Sequence, residues 1–369
     1  MPAVLQAFFD SVHQRLSILS QAHIEARLQT LSASSPADFV SLCLAIYLIQ
    51  QDPPPHTKSM QSSLYVSMKS IVSLLEAVDY HTLETIQCRI LLTFYEMGHG
   101  MFQTASISIA ACSRQARLIG LHKAVIDSSG GLAEEFLEEK RRAFWKVLNL
   151  DRFVTLCSGD GVLGTPNSKS EDLLPMDDSL WLRNIVPMPT PTELTIATSY
   201  SVRVGQFARE CQVSNLIALV IRHVFDPSPD SRFQAEEALQ LERTLSALYP
   251  VLMDEQVKFG KYCAALGMCT NALFMLLNDA EKRDGKDVLS AMEPLSTQIV
   301  VFSSRLFGDG EGLDYGTLSP YIPLSLYQAA VVQSRLYRRT GERCYGEALL
   351  TLKRLLGYFN KRWLVAGMS

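Results

Sequence analysis

The segment from Glu134 to Asp160, EEFLEEKRRAFWKVLNLDRFVTLCSGD, limits what this chain can fold into more than any other. It opens with four acidic residues, turns basic at Lys140-Arg141-Arg142 and then runs almost wholly apolar. Acid at a helix start with base a turn later suits the helix macrodipole and permits an i,i+4 pair between Glu138 and Arg142. Ala143, Val147, Leu150, Val154 and Cys157 step by four and three, the mark of one buried helical face. Phe144, Trp145, Leu148 and Phe153 widen that face until little of the helix can meet water. Asp151 and Arg152 nonetheless sit in the middle of the apolar run. A buried charge pair is costly unless partnered, so other helices must surround this one and satisfy it.

With 369 residues, 47% hydrophobic and 20% charged, the chain is long enough for one large core or two medium ones. Its net charge of −4 gives no bulk attraction to nucleic acid or to an anionic membrane. Charge is uneven, however: Val331 to Ser369 holds eight basic residues against two acidic, net +6, which leaves −10 for the rest. Such a basic face suits nucleic acid or an acidic partner. Solvated faces of terminal helices, balancing an acidic body, are the simpler reading. Met1 to Asp10 carries no cation, so no secretory signal is expected. The most apolar stretch, Tyr262 to Asn278, holds Asn271 and is only 17 residues long, which predicts a buried core helix and no membrane span. Eight cysteines stand singly in apolar patterns, as expected of reduced core thiols in a nuclear or cytoplasmic protein.

Sustained period-two alternation is missing, and helical patterns dominate. They predict helices over Ala3–Ser20, Ala37–Gln51 (after Ser35-Pro36), Ser59–Val78, Thr82–Met97 and from Ala105 to a stop at Gly120. The Glu134 helix follows a break at Asp127-Ser128-Ser129-Gly130-Gly131 and ends near Ser158. Further helices are predicted over Leu194–Val224, Ser231–Leu248, Asp254–Lys282, Val288–Phe307, Leu318–Thr340 and Arg343–Trp363. The fold class expected is therefore all-α, a multi-helix array forming one body over residues 1–369. Gly159 to Thr192 is its longest irregular stretch, with prolines at 166, 175, 187, 189 and 191. A loop of that length is usually functional or a cover, and Leu173, Leu174, Met176, Leu180 and Trp181 suit one that packs down.

Chemical motifs are sparse. Cys263 and Cys269 are six apart on a helix and face apart, while His99 and His122 sit singly at helix ends, so no metal site is expected. Gly159-x-Gly161-x-x-Gly164 copies the dinucleotide spacing, but it follows a helix and leads to Pro166, the wrong context for that fingerprint. No nucleophile elbow or paired-histidine zinc motif occurs, and neither a cofactor nor a catalytic residue is nominated. Asp177-Asp178 suits a helix cap or solvent. Trp145, Asp151, Arg152 and Trp181 are the ligand-binding candidates. The competing reading makes Asp151 part of a buried ion-pair network with Arg114 or Arg117 of the preceding helix, and it is preferred.

Three blocks resemble the fungus-specific regulatory domain, or middle homology region, of zinc binuclear-cluster transcription factors. Ala111 to His122, ACSRQARLIGLH, is similar to that family's A-x-R-x-A-x-x-L-G-L-H helix end. Glu139 to Trp145 with Leu150-Asp151-Arg152 resembles its E-x-R-R-x-x-F/W-W…D-R helix. Leu173 to Trp181, LLPMDDSLW, resembles the L-P-x-D-D-x-x-W loop that follows. Weaker likenesses run from Phe8–His13 to Lys361–Gly367. The resemblance implies an all-α body that restrains or activates transcription, often in secondary metabolism, with a small-molecule or protein input. The family's DNA-reading C-x-x-C-x₆-C cluster does not occur between Met1 and Ser369, so sequence-specific DNA binding is not expected of this chain. Ser158-Gly159-Asp160-Gly161 replaces the family's G-R-P turn. Expected partners are other proteins or a small-molecule effector, with a homodimer left open. Two alternatives remain: an enzyme or small-molecule binder with its pocket under the Gly159–Thr192 loop, and a dimerising scaffold.

Overall fold

The computed structural model describes residues 1–32, 34–126, 134–183, 185, 193–259, 264–285, 287–308 and 318–367. Among them the protein is all-α, with a single isolated antiparallel bridge between Leu173 and Thr195 and no strand. In chain order the helices are α1 (Pro2–Asp10), α2 (Gln21–Gln29), α3 (Ala37–Ile49), α4 (Ser63–Ala77), α5 (Leu83–Gly98), α6 (Phe102–Leu118) and α7 (Glu134–Ser158). They continue with α8 (Asp178–Trp181), α9 (Gln206–Phe225), α10 (Ser231–Phe259), α11 (Ala264–Asp284), α12 (Leu289–Gly308), α13 (Pro323–Thr340) and α14 (Arg343–Asn360). No helix among the described residues is long and apolar enough to cross a membrane.

Local chemistry sets most boundaries. Thr82 and Thr85 form a reciprocal capping box that starts α5. The chain leaves α6 through Gly120, whose φ of +75° is left-handed and strains any residue with a Cβ. Ser20 caps α2 by accepting the His23 amide at 3.1 Å, which breaks the helix expected over Ala3–Ser20 into α1, a 3₁₀ turn at Val12–Gln14 and a separate start. The helix expected from Leu194 begins only at Gln206. Leu194 and Ile196 instead pair with the preceding loop, through Leu174 N to Leu194 O at 2.8 Å and Ile196 N to Asp172 O at 2.9 Å. Pro250 lies inside α10, and the helix runs eleven residues past the Leu248 end and absorbs the start expected at Asp254. The break expected at 127–131, together with Pro187, Pro189, Pro191 and Cys263, lies outside the described residues.

By packing, the chain divides into two compact units: Met1–Ser158 with Val162–Asn215, and Gly159–Gly161 with Leu216–Ser369. In the first, α5 is buried at every position except Glu84 and is packed by α3, α6 and α7. Eighteen of the α7 residues are buried as well, charged ones included. In the second, α13 packs against α11, α12 and α14, and α10 lies along α11. Gly267 in α11 lets the Tyr321 carbonyl approach to where a Cβ would sit 2.7 Å away. The Trp363 indole closes that end of the core by donating to the Leu318 carbonyl at 2.7 Å. Cys43, Cys88, Cys112, Cys211 and Cys269 are free and buried, as expected, whereas Cys344 is exposed on α14.

Candidate functional site

The buried charges of the first unit gather along α7. Its first turns point Glu138, Glu139 and Arg142 inward, and their side chains are almost fully shielded from solvent. Arg142 Nε donates to Glu138 Oε1 at 2.8 Å, the i,i+4 pair expected from the sequence. The rest of its guanidinium reaches three other segments. Nη1 donates to Ser17 Oγ at 2.7 Å and to Asp178 Oδ1 at 2.9 Å, while Nη2 donates to the Met176 carbonyl at 2.8 Å. Its planar face lies 5.0 Å from the Trp181 ring centroid. Asp178 is thus more than the cap or solvent-facing acid expected: its second oxygen accepts the Phe207 amide at the start of α9, at 2.8 Å. Asp177 does cap α8, accepting from Ser179 N at 2.8 Å.

Glu139 ties the start of the chain to α7. It accepts from Ser20 N at 3.1 Å and Gln87 Nε2 at 2.9 Å, and pairs with His23 Nδ1 at 3.1 Å. That contact raises the His23 pKa above its ordinary value, against a smaller opposing effect of burial. His13 is the opposite case. Burial pushes it down to about 4, so the ring is neutral and its Nε2–H donates to the Leu19 carbonyl at 2.9 Å. One turn along α7, Lys146 meets Glu210 of α9 at 2.6 Å, and Asn149 donates to the same carboxylate at 3.1 Å.

The sequence candidates all lie on or beside this network, but in a row, not around one pocket. Trp145 is fully buried and its Nε1–H donates to the Leu173 carbonyl at 2.8 Å. Asp151 accepts from Gly164 N at 3.1 Å, Thr165 N at 2.8 Å and Thr165 Oγ1 at 2.6 Å. Arg152 donates to Ser168 Oγ at 2.8 Å, to the Pro166 carbonyl at 3.3 Å and to Ser214 Oγ at 3.3 Å. The two charges therefore clasp the loop after α7, and Trp181 stacks on Arg142 further along. Arg114 and Arg117 stand on the exposed face of α6, so the expected pairing with Asp151 gives way to backbone amides that loop closure brings nearer. Burial raises the Asp151 pKa despite those bonds and lowers that of Arg152 to about 10. Burial also lifts the Cys88 and Cys112 thiols to about 12, which keeps them protonated and poor nucleophiles.

Sequence reasoning passed over Ser17, Glu139, Lys146, Arg209 and Glu210. A signal for the last two was present: Arg209-Glu210 interrupts an apolar helix in the same way as Asp151-Arg152 does. Arg209 is buried and donates to Gln212 Oε1 at 2.6 Å and to the Val202 carbonyl at 3.0 Å. Chemically, most of the network's polar atoms serve one another, with Asn149 Oδ1, Arg152 Nε and Trp181 Nε1 left without a partner, and it is built to hold geometry.

Comparison with known proteins agrees with this reading. Residues 5–246 match the family model described as the fungal specific transcription factor domain. Transcription factor BOA15 of Botryotinia fuckeliana is 26% identical over 135 residues, which cover 37% of this chain and 75% of that protein. Transcription factor tazR of Aspergillus terreus is 28% identical over 158 residues, covering 40% of this chain but 24% of its own length. Pigment biosynthesis transcriptional activator pigB of Monascus ruber is 27% identical over 170 residues, covering 42% of this chain and 30% of its own. No solved structure matches the chain. With the matched span taking in both halves of the α7 network, from Ser17 to Ser214, the chain belongs to the family of the fungal specific transcription factor domain, a regulatory domain.

Proposed function

We propose that this chain acts in the nucleus as the regulatory body of fungal transcription control, receiving a small-molecule or protein input and passing it to gene expression. The observation that carries the reading is the coincidence of the matched residues 5–246 with the whole buried network centred on α7. A body held by buried, mutually satisfied charges has one well-defined arrangement, which suits a part whose shape must be read by something else. The names of BOA15, tazR and pigB support transcription as the process, and pigB supports a biosynthetic pathway as the target.

The test fuses residues 1–369 to a heterologous DNA-binding module in yeast and reads a reporter placed behind that module's site. Expression at least threefold above or below that of the module alone is the expected result. A fusion that accumulates in folded form in the nucleus yet leaves the reporter at the module-alone level would overturn the reading.

A further inference from the structure

A concave site lies beside the α7 network, within the first unit, where α2, the start of α5, the end of α6 and the start of α7 meet. Its volume is about 380 Å³, and its lining includes His23, His81, Leu83, Ile119, Phe136 and Lys140. That size lies in the range of small-molecule pockets and is far above the space of a few waters.

The charges around it do not cancel. Glu84 also lines the cavity, but its carboxylate is taken by Arg27. Glu139, behind His23, is taken by His23, Gln87 and Ser20. Lys140 has no ion pair among the described residues; its ammonium rests 4.4 Å from the centroid of the Phe136 ring. His81 has a buried Nδ1 without a hydrogen-bond partner, and its other nitrogen is 3.9 Å from Asp79, an aspartate that is almost fully exposed. The unmet Nδ1 is closed to solvent, so it does not face the hollow. The Lys140 ammonium stands beside an apolar floor made by Leu83, Ile119 and Phe136, with the one lining carboxylate already paired. A compact anion attached to an apolar skeleton matches both parts.

We propose that this cavity binds an organic anion, its acid group held by Lys140 and its apolar body seated on Phe136, Ile119 and Leu83. The inference rests on the regulatory reading above and names the chemical class of its input. Lys140 directly follows Glu139 and His23 pairs with that glutamate, so a ligand here sits against the first turns of α7 and beside one of its buried contacts.

The probe is 1-anilinonaphthalene-8-sulfonate, an aromatic anion small enough for the cavity, followed by its fluorescence on the full chain. Its uncharged counterpart, N-phenyl-1-naphthylamine, separates the acid group from the ring system. Saturable one-to-one binding of the sulfonate is expected, at least tenfold tighter than that of the amine. Lys140→Glu weakens it at least tenfold, and Phe136→Ala weakens it severalfold. Lys353→Glu, a charge reversal in the second unit, leaves it unchanged. Both cavity positions are partly exposed, and circular dichroism and melting of each variant confirm the fold before binding is read. Equal affinity for the two probes, an unchanged affinity in Lys140→Glu, or no saturable binding would each overturn the inference. A responsive reporter together with any of those results would remove this site while leaving the regulatory reading intact.

Discussion

The two compact units handle charge in opposite ways. In the first, Glu138, Glu139, Arg142, Lys146, Asp151 and Arg152 are buried along α7 and each finds partners within the chain, with only Arg152 Nε among their buried nitrogens and oxygens left unmet. In the second, buried charges among the described residues are fewer, Glu255 and Arg362 included, and several ion pairs lie at the surface: Arg335 with Glu281 has side chains 37% and 31% exposed, and Arg339 with Asp287 is more open still. The buried polar groups of its core are mostly neutral, such as Gln333 donating to Ser296 Oγ at 2.8 Å and Asn271 donating to the Tyr321 carbonyl at 3.3 Å. Buried pairs give little net stability over apolar packing, but breaking one is expensive. Surface pairs are cheap to make and cheap to lose. The first unit should therefore be intolerant of charge changes and the second indifferent to them.

The largest effect that sharpens this contrast is expected from Arg142→Ala. It leaves Glu138 and Asp178 without their shared cation and should cost about 3–5 kcal/mol of stability, read from urea unfolding. A loss below about 1 kcal/mol would mean that the buried network is not what distinguishes the first unit.

Next comes pH. His13 has a folded pKa of about 4 against an ordinary value of 6.5, so the unfolded chain takes up its proton first as pH falls. Its contribution is fully present above 6.5 and is lost as pH drops from 6.5 toward 4, by up to about 3 kcal/mol. His13→Phe, placed between the rings of Phe8 and Phe9, should flatten that window relative to the parent. Parallel stability profiles for parent and variant between pH 7 and pH 4.5 would show that this histidine is not the acid-sensitive element.

The smallest effect belongs to the second unit. Arg335→Ala, which opens a surface pair, should change stability by less than about 1 kcal/mol and should fade further in high salt. A loss comparable to that of Arg142→Ala would erase the distinction between the units.

Legibility in the sequence follows the same division. The extent of α7 and the Glu138–Arg142 pair were readable because charge placed on an apolar stripe is a local pattern. The start of α3 at Ala37 followed from Ser35-Pro36, although Pro36 itself stands at the N-cap and no serine caps the helix, and the start of α5 fell within one residue of the pattern. What could not be read is what depends on chain return. Asp151 was expected to meet an arginine of α6, yet it is met by amides at Gly164 and Thr165, because the loop folds back over the end of its own helix. The segment from Leu194 looked helical since its residues permit a helix, but hydrogen bonds to Asp172 and Leu174 hold it extended. The pattern ended one helix at Leu248 and began another at Asp254, whereas α10 runs through Pro250 to Phe259. The cavity beneath Lys140 had no sequence signature, since its walls come from four separate elements.

The wide spacing of the α7 contacts has a consequence for how the protein is made. Arg142 binds Ser17, 125 residues upstream, and Asp178, 36 residues downstream, while Lys146 binds Glu210, 64 residues downstream. During synthesis the helices can form as they emerge, but the Lys146–Glu210 contact cannot close until α9 has left the ribosome. The core of the first unit is therefore completed by its last segment, and its helices must wait for one another.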